Sequence, residues 1–258
     1  MEKLSDYSQY IHKSRYARWN QKEGRRENWD ETVDRYISFF APKIPKSDRE
    51  EVSKELRKAI FELDIMPSMR AVGNAGESLE RDHCKGYNCS FIIIDDPRSF
   101  DEALYILMCG TGVGFSVERQ FISKMPYIAE VFYPTETTIK VSDTTIGWCT
   151  SFRQLISLLY GGLVPKWDMS LIRPAGTPLK IGGGRASGPE QLEKLFKFTI
   201  NLFKGAAGRK LNSVECHDLM CAIADIVEVG GVRRAAMISL SNFSDDRMRN
   251  AKNGQWWI

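Results

Sequence analysis

Cys89-Ser-Phe-Ile-Ile-Ile94 is the segment that most narrows what this 258-residue chain can fold into. It is short and almost wholly apolar, which suits a strand buried on both faces. Such strands belong to parallel sheets, whose crossover connections lay helices over the sheet. The flanking segments agree. Ser99-Phe-Asp-Glu102 predicts a capped helix running to about Cys109, and Gly112-Val-Gly-Phe-Ser-Val-Glu118 reads as the next strand. Residues 127–142, rich in Thr, Tyr, Val and Ile, read as a hairpin-like excursion. A helix is expected near Ser151 to Tyr160 and a strand around Met169 to Ile172. Gly182 to Gly188 reads as a loop, and Pro189 falls where the first turn of a helix tolerates it, with that helix running to about Lys204. A helix over roughly Ser213 to Val227 and a strand from Arg234 to Leu240 complete the alternation. The expected class is α/β with a parallel sheet.

Residues 1–65 have a different character. Trp29, Val33, Tyr36, Ile37 and Phe40 recur at helical spacing behind an Asn28/Glu31 cap, and Ala41-Pro-Lys-Ile-Pro45 then breaks the chain. Ser47 with Glu50 reads as a second capping box, with Val52, Leu56, Ile60 and Leu63 along one stripe. This is a helical N-terminal lobe, and residues 66–258 form the α/β part.

Composition excludes several function classes. Lys plus Arg number 36 against 33 Asp plus Glu, a net charge of +3 that gives no electrostatic footprint for nucleic acid. No apolar run approaches bilayer length: the longest, Ala103 to Phe115, is broken by Gly110, Thr111, Gly112 and Gly114. No membrane is expected as a partner. The first ten residues are polar and charged, unlike a secretory signal, and six cysteines are too few for a disulfide framework, so a reducing cytoplasm is the expected compartment. No metal is expected either. His83-Cys84 with Cys89 and Cys216-His217 with Cys221 lack the Cys-x2-Cys spacing of zinc ribbons, and Cys216 and Cys221 lie five apart on a helix, on different faces.

Chemistry can sit at the glycine clusters Gly110 to Gly114, Gly182 to Gly184 and Gly230-Gly231, each at a strand boundary. They are either tight turns or places where backbone approaches a ligand; none completes a P-loop or a dinucleotide fingerprint. Arg233-Arg234 offers a paired donor fork to phosphate or base, or simply closes a helix end. Cys89 should project at the mouth of its strand. Asp95-Asp96 reads as a solvated turn, and Trp256-Trp257 as aromatics that either dock back or belong to a longer chain.

Taken together, these segments resemble the monomeric, adenosylcobalamin-dependent (class II) ribonucleotide reductases. The matching pieces are Tyr16-Ala-Arg-Trp19 with Gly24 to Arg35, Pro67-Ser68 with Arg70, Asn88-Cys89, Gly112 to Val117 with Ile122-Ser123, Asp143-Thr144 with Gly147-Trp148, Ile172-Arg-Pro174, Ala186 to Pro189, and Gly231-Val-Arg-Arg-Ala235. The resemblance implies a helical N-terminal lobe plus most of the first half of a ten-stranded α/β barrel, incomplete in this chain. It also implies thiyl-radical reduction of ribonucleotides, in which a cysteine pair delivers electrons as the 2′-hydroxyl leaves. Cys89 matches the first member of that pair. Ser68, Asn88 and Gly112 match the substrate region, and Gly230, Gly231, Val232, Arg233 and Arg234 the loop linking effector to substrate base. Residues 127–148 match the effector region, and Asp96 an effector-contacting carboxylate. Adenosylcobalamin is the implied cofactor. The implied partners are a ribonucleotide substrate, a deoxynucleotide effector, a complementary C-terminal reductase fragment and an external dithiol such as thioredoxin.

The sequence also departs from the family. Asn-x-Cys-x-Glu, which carries the thiyl cysteine and a carboxylate base, is absent, as is an identifiable second reducing cysteine. Met69 stands where a glycine is usual and Arg185 where a small hydroxyl residue is usual. The expectation is an N-terminal part, inactive alone. A noncatalytic nucleotide-binding module, a truncated product and a class I reductase large subunit remain the alternatives.

Overall fold

The computed structural model describes residues 4–178, 185–229 and 233–254, in two compact units, Met1–Asn88 and Cys89–Ile258. The first unit contains helix α1 (Asp6–Arg15), the two-residue strands β1 (Trp19–Asn20) and β2 (Arg25–Arg26) paired antiparallel, and helices α2 (Trp29–Phe40), α3 (Arg49–Phe61), α4 (Met69–Asn74) and α5 (Glu77–Arg81). The Asn28/Glu31 capping box forms, with the Asn28 amide donating to the Glu31 carboxylate at 2.6 Å. Trp29 and Val33 then bury against Ile60 and Val72, and the Trp29 indole donates to the Phe61 carbonyl at 3.1 Å. The Ser47/Glu50 box does not form. Helix α3 starts one residue later than that box requires, with Asp48 at its cap position and no side-chain cap bond. Leu63 also leaves the expected stripe, because α3 ends at Phe61 and Leu63 turns away with φ +65°.

The polar residues of the Gly24–Arg35 motif form a half-buried network. Arg35 donates to both Glu27 carboxylate oxygens, at 2.8 and 3.0 Å, and to the Val72 and Ala75 carbonyls, each at 3.0 Å. Thr32 spends its one hydroxyl proton on Glu27 at 3.1 Å, so it accepts from His12 Nε2 at 2.8 Å. Burial alone would raise the Glu27 carboxyl, but hydrogen bonds from Arg35, the Arg18 amide and Thr32 bring it below the usual range. A carboxyl depressed in the folded state adds stability above its unfolded pKa and loses it as pH falls through the folded one. Glu27→Gln is therefore expected to be clearly less stable than the parent at neutral pH, with the gap closing as pH drops below the ordinary glutamate range. A gap independent of pH in denaturant melts would contradict this assignment.

The second unit is mixed α/β. A three-stranded parallel sheet runs in the order β3 (Cys89–Ile93), β4 (Gly112–Ser116), β9 (Met237–Leu240). Helix α6 (Arg98–Met108) connects β3 to β4, the right-length crossover for a parallel pair. After the short α7 (Arg119–Ile122), β5 (Tyr133–Lys140), α8 (Thr145–Tyr160) and β6 (Leu163–Asp168) make a second parallel pair. Helices α9 (Glu190–Gly205) and α10 (Ser213–Asp225) follow; β7 (Glu228–Val229) pairs antiparallel with β8 (Arg233–Arg234), and α11 (Asp246–Asn250) closes the described chain. Phe100, Leu104, Phe115, Phe152, Phe196 and Met220 are among the side chains that fill the common core. Among the described residues no helix is long and apolar enough to cross a membrane.

Four expectations are corrected. Residues 127–142 are not a hairpin: β5 takes a parallel partner thirty residues on, because the α8 crossover intervenes. The strand expected at Met169 to Ile172 lies earlier, at β6, where Leu163 to Asp168 supply the pairing. Pro189 occupies the cap position of α9 rather than its first turn. Most consequentially, β3 is not buried on both faces. Ile94, Val113 and Phe115 face the core, whereas Phe91 is 57% and Ile238 64% exposed on the opposite face. Among the described residues of this unit, the helices lie on one side of the sheet.

Candidate active site

Cys89 opens β3 and stands in register with Gly112, the first residue of β4. The chain reaches Gly112 from α6 through Gly110, whose φ of +78° lets the backbone reverse in a way a side chain would resist. Ser90, facing the other way, donates to the Gly112 carbonyl at 2.9 Å and pins the two strand ends together. Strand alternation then puts Cys89, Phe91 and Ile93 on one face, beside Gly112, Gly114 and Ser116. Two of those three neighbours carry no side chain, so the strand beside Cys89 leaves that face low. A Cβ at Gly114 would lie 3.2 Å from Ile238 Cγ2 and 3.4 Å from the Phe91 ring, so glycine is what allows these side chains to close over β4. The result is an exposed cysteine at one end of a largely apolar strip that is open at Phe91 and Ile238 and closed at its far end, where Ser116 is buried.

Burial separates the cysteines chemically. Burial pushes the thiols of Cys149 and Cys216 up to about 12, Cys149 being held up further by the nearby Asp101 charge. Both stay protonated at neutral pH and are poor nucleophiles. Burial also raises Cys221. Cys109 is buried and Cys84 intermediate, while Cys89 is exposed. Cys221, on α10, is exposed too, so it is position at the end of the sheet that singles out Cys89.

The remaining expected site residues lie on several elements. Ser68 and Asn88 are exposed and belong to the first unit; the Ser68 hydroxyl caps α4 by accepting from the Ala71 amide at 3.1 Å. Met69 sits in that first turn, exposed. Asp96 lies beyond the carboxyl end of β3, the opposite end from Cys89, where its side chain accepts from the Arg98 amide at 2.8 Å; its neighbour Asp95 meets Lys124 at 3.2 Å. The solvated-turn reading describes both. Gly182 to Gly184, Gly230, Gly231, Val232, Trp256 and Trp257 lie outside the described residues, and Arg233 and Arg234 are described only as a backbone strand.

One pairing could not have been read from spacing. Arg173 donates to the Asp143 carboxylate at 2.6 Å, joining two motifs thirty residues apart. Between them Thr144 caps α8 by accepting from the Gly147 amide at 2.9 Å. Within residues 127–148 the structure therefore provides β5, this cap and a partly exposed ion pair. The signal was present as Asp143-Thr144 and Ile172-Arg-Pro174, but only the fold joins them.

Two surface clefts, of about 470 and 570 Å³, lie between α7 and residues 242–247 and are lined by polar and charged side chains including Arg119, Asn242, Ser244 and Asp245. Neither offers the broad enclosed slot that a corrin ring requires, so these two clefts do not fit cobalamin.

No family model matches the chain. Among curated proteins it is 27% identical to an adenosylcobalamin-dependent ribonucleoside-triphosphate reductase of Lactobacillus delbrueckii subsp. bulgaricus, and 26% identical to that of Lactobacillus leichmannii, each over 95% of this chain and 42% of the relative. The enzyme of the same description from Lacticaseibacillus paracasei is 27% identical over the same shares. A crystal structure of a B12-dependent (class II) ribonucleotide reductase superposes with a TM-score of 0.82 at 26% identity, over 95% of this chain and 43% of that one. The chain is thus homologous to the N-terminal part of these reductases, and spans about two fifths of their length.

Proposed function

We propose, from that homology, that this chain is the N-terminal part of an adenosylcobalamin-dependent ribonucleoside-triphosphate reductase, and that Cys89 is one of the two thiols that reduce the substrate. The observation that carries the reading is the exposed Cys89 thiol at the amino ends of β3 and β4, with side-chain-free Gly112 as its register partner. A nucleotide sugar can approach a thiol held this way. In the proposed step Cys89 and a second cysteine lose two protons and two electrons as their S–S bond forms. The substrate's C2′–O bond breaks, a hydrogen is placed on C2′, and the 2′-oxygen leaves as water. An external dithiol of the thioredoxin kind then restores both thiols.

On this reading the uncovered strip of Phe91, Ile93, Ile238 and Leu240 faces the interior of a barrel, which a second half-barrel would complete. Ser68, Asn88 and Gly112 contribute to the substrate region, Gly230 to Arg234 link the effector to the substrate base, and residues 127–148 with Asp96 serve a deoxynucleotide effector. The groups that generate the thiyl radical, and the surface that holds cobalamin, are assigned to the complementary C-terminal part, because Asn-x-Cys-x-Glu is absent from these 258 residues. A cytoplasmic setting, where dithiol reductants are abundant, suits the chemistry.

The test combines the purified chain with a C-terminal reductase part that carries Asn-x-Cys-x-Glu, then measures deoxyribonucleoside triphosphate formation with adenosylcobalamin and a dithiol. Formation is expected from the pair and from neither half alone. Saturable nucleotide binding without reconstitution by any such part would replace this reading with that of a noncatalytic nucleotide-binding module.

A further inference from the structure

Helix α10 presents a second pair of groups that the reductase reading does not use. His217 and Cys221 are four residues apart, one helical turn, so they share a face. His217 Nε2 and Cys221 Sγ stand 3.5 Å apart. Tetrahedral zinc binds thiolate sulfur at about 2.3 Å and imidazole nitrogen at about 2.0–2.1 Å, which sets an S···N separation of about 3.5 Å across the tetrahedral angle. The two donor atoms already stand at that bite distance. The imidazole is also held in place, with its ring centroid 5.8 Å from that of Phe115, while Cys221 is exposed and open to an ion from solvent.

We propose that His217 and Cys221 form a bidentate site for a borderline-soft divalent cation of the zinc class. Two coordination positions are filled by the protein and two by water or an exchangeable ligand. A thiolate with an imidazole selects zinc, cobalt or copper over magnesium and calcium, which prefer oxygen donors. The site is a weak, exchangeable one. It has only two protein ligands, and His217 Nδ1 is buried with no hydrogen-bond partner among the described residues, so the outer acceptor that usually strengthens a histidine ligand is missing. Comparing Cys216 with Cys221, five apart and on different faces, argues against a metal; the pair that matters is His217 with Cys221.

Cobalt(II) distinguishes this from a plain S–H···N hydrogen bond, which the same distance would also allow. Titrating Co²⁺ into the full 258-residue chain under reducing conditions should produce a thiolate-to-cobalt charge-transfer band that Zn²⁺ displaces at a 1:1 ratio. Cys221→Ser should abolish the band, and His217→Gln should weaken Co²⁺ binding at least about tenfold, the smallest loss usual even for an outer-shell partner of a ligand. Cys89→Ser, with the other exposed thiol removed, should retain it. Circular dichroism confirms that each variant is folded. No charge-transfer band in the parent, or a band that survives Cys221→Ser, overturns the proposal.

Discussion

Cys89→Ser is expected to bring dithiol-dependent turnover of the reconstituted reductase down by on the order of 10³-fold or more, because removing one member of a group that acts as a unit removes the function of the whole unit. Serine keeps the size and hydrogen-bonding shape of the side chain but cannot form or break a disulfide under these conditions. The fold should be indifferent to the change. Cys89 is exposed at a strand end, and substitutions at such positions typically alter stability by about 0.5 kcal/mol or less. The informative result is therefore the contrast between lost turnover and an unchanged melting curve. Nucleotide binding should also persist, since in the proposed step the thiol acts on the sugar rather than anchoring the ligand. Full turnover by Cys89→Ser would remove the thiol from the proposed chemistry even if reconstitution succeeds, and a parallel collapse of the melting curve would mean that Cys89 is a packing residue.

Gly162→Ala should be strongly damaging to the second unit, at about 3 kcal/mol or more. Gly162 joins α8 to β6 with φ +74°, and a Cβ there would lie 2.5 Å from the Val131 carbonyl oxygen and 2.9 Å from Ala129 Cβ. Neither obstacle can swing aside, because one is backbone and the other is the stub of a side chain. The Gly162 carbonyl in turn accepts from the Tyr133 amide at 2.8 Å, so any shift that relieves the clash disturbs the start of the β5–β6 pair. Gly176→Ala is the matched control. Its φ is +84°, yet nothing lies within 4 Å of the added Cβ, so it should cost only the conformational penalty of about 1 kcal/mol. Thermal or denaturant unfolding of the two variants separates strain from collision. Equal losses would mean that the α8–β6 junction is less confined than the packing around Val131 indicates.

Both predictions turn on features that differ in how far the sequence disclosed them. Apolar periodicity identified β3, α6, β4, α9 and α10 to within a few residues, and α10 is also closed by Asn212 and Glu215 as α2 is by Asn28 and Glu31. The Ser99–Glu102 cap expected for α6 does not form, because Pro97 takes the cap position and the Ser99 hydroxyl donates to the Ile93 carbonyl at 2.9 Å. The same local signals misplaced the strand pairing after residue 127. Thr-rich and Val-rich residues show that a segment is extended, but not which segment it will pair with, and β5 finds β6 only across α8. Ser47 with Glu50 shows the opposite failure. Its spacing satisfies a capping box, but the helix begins one residue too late to use it.

The candidate site divides along the same line. Residue order alone identified Cys89 as a thiol at the start of a strand, and the motifs from Tyr16 to Ala235 carried the resemblance to class II reductases, since amino-acid identity at fixed spacing is a one-dimensional property. Whether that thiol would be open or packed was decided only in three dimensions. Exposure depends on which side chains the neighbouring strands contribute, and it is Gly112 and Gly114 across the register, together with helices lying on one face of the sheet, that leave the Cys89 face uncovered. The pairing of Asp143 with Arg173 and the 3.5 Å approach of His217 to Cys221 are of the same kind. Distances between side chains follow from tertiary packing, which no local pattern encodes.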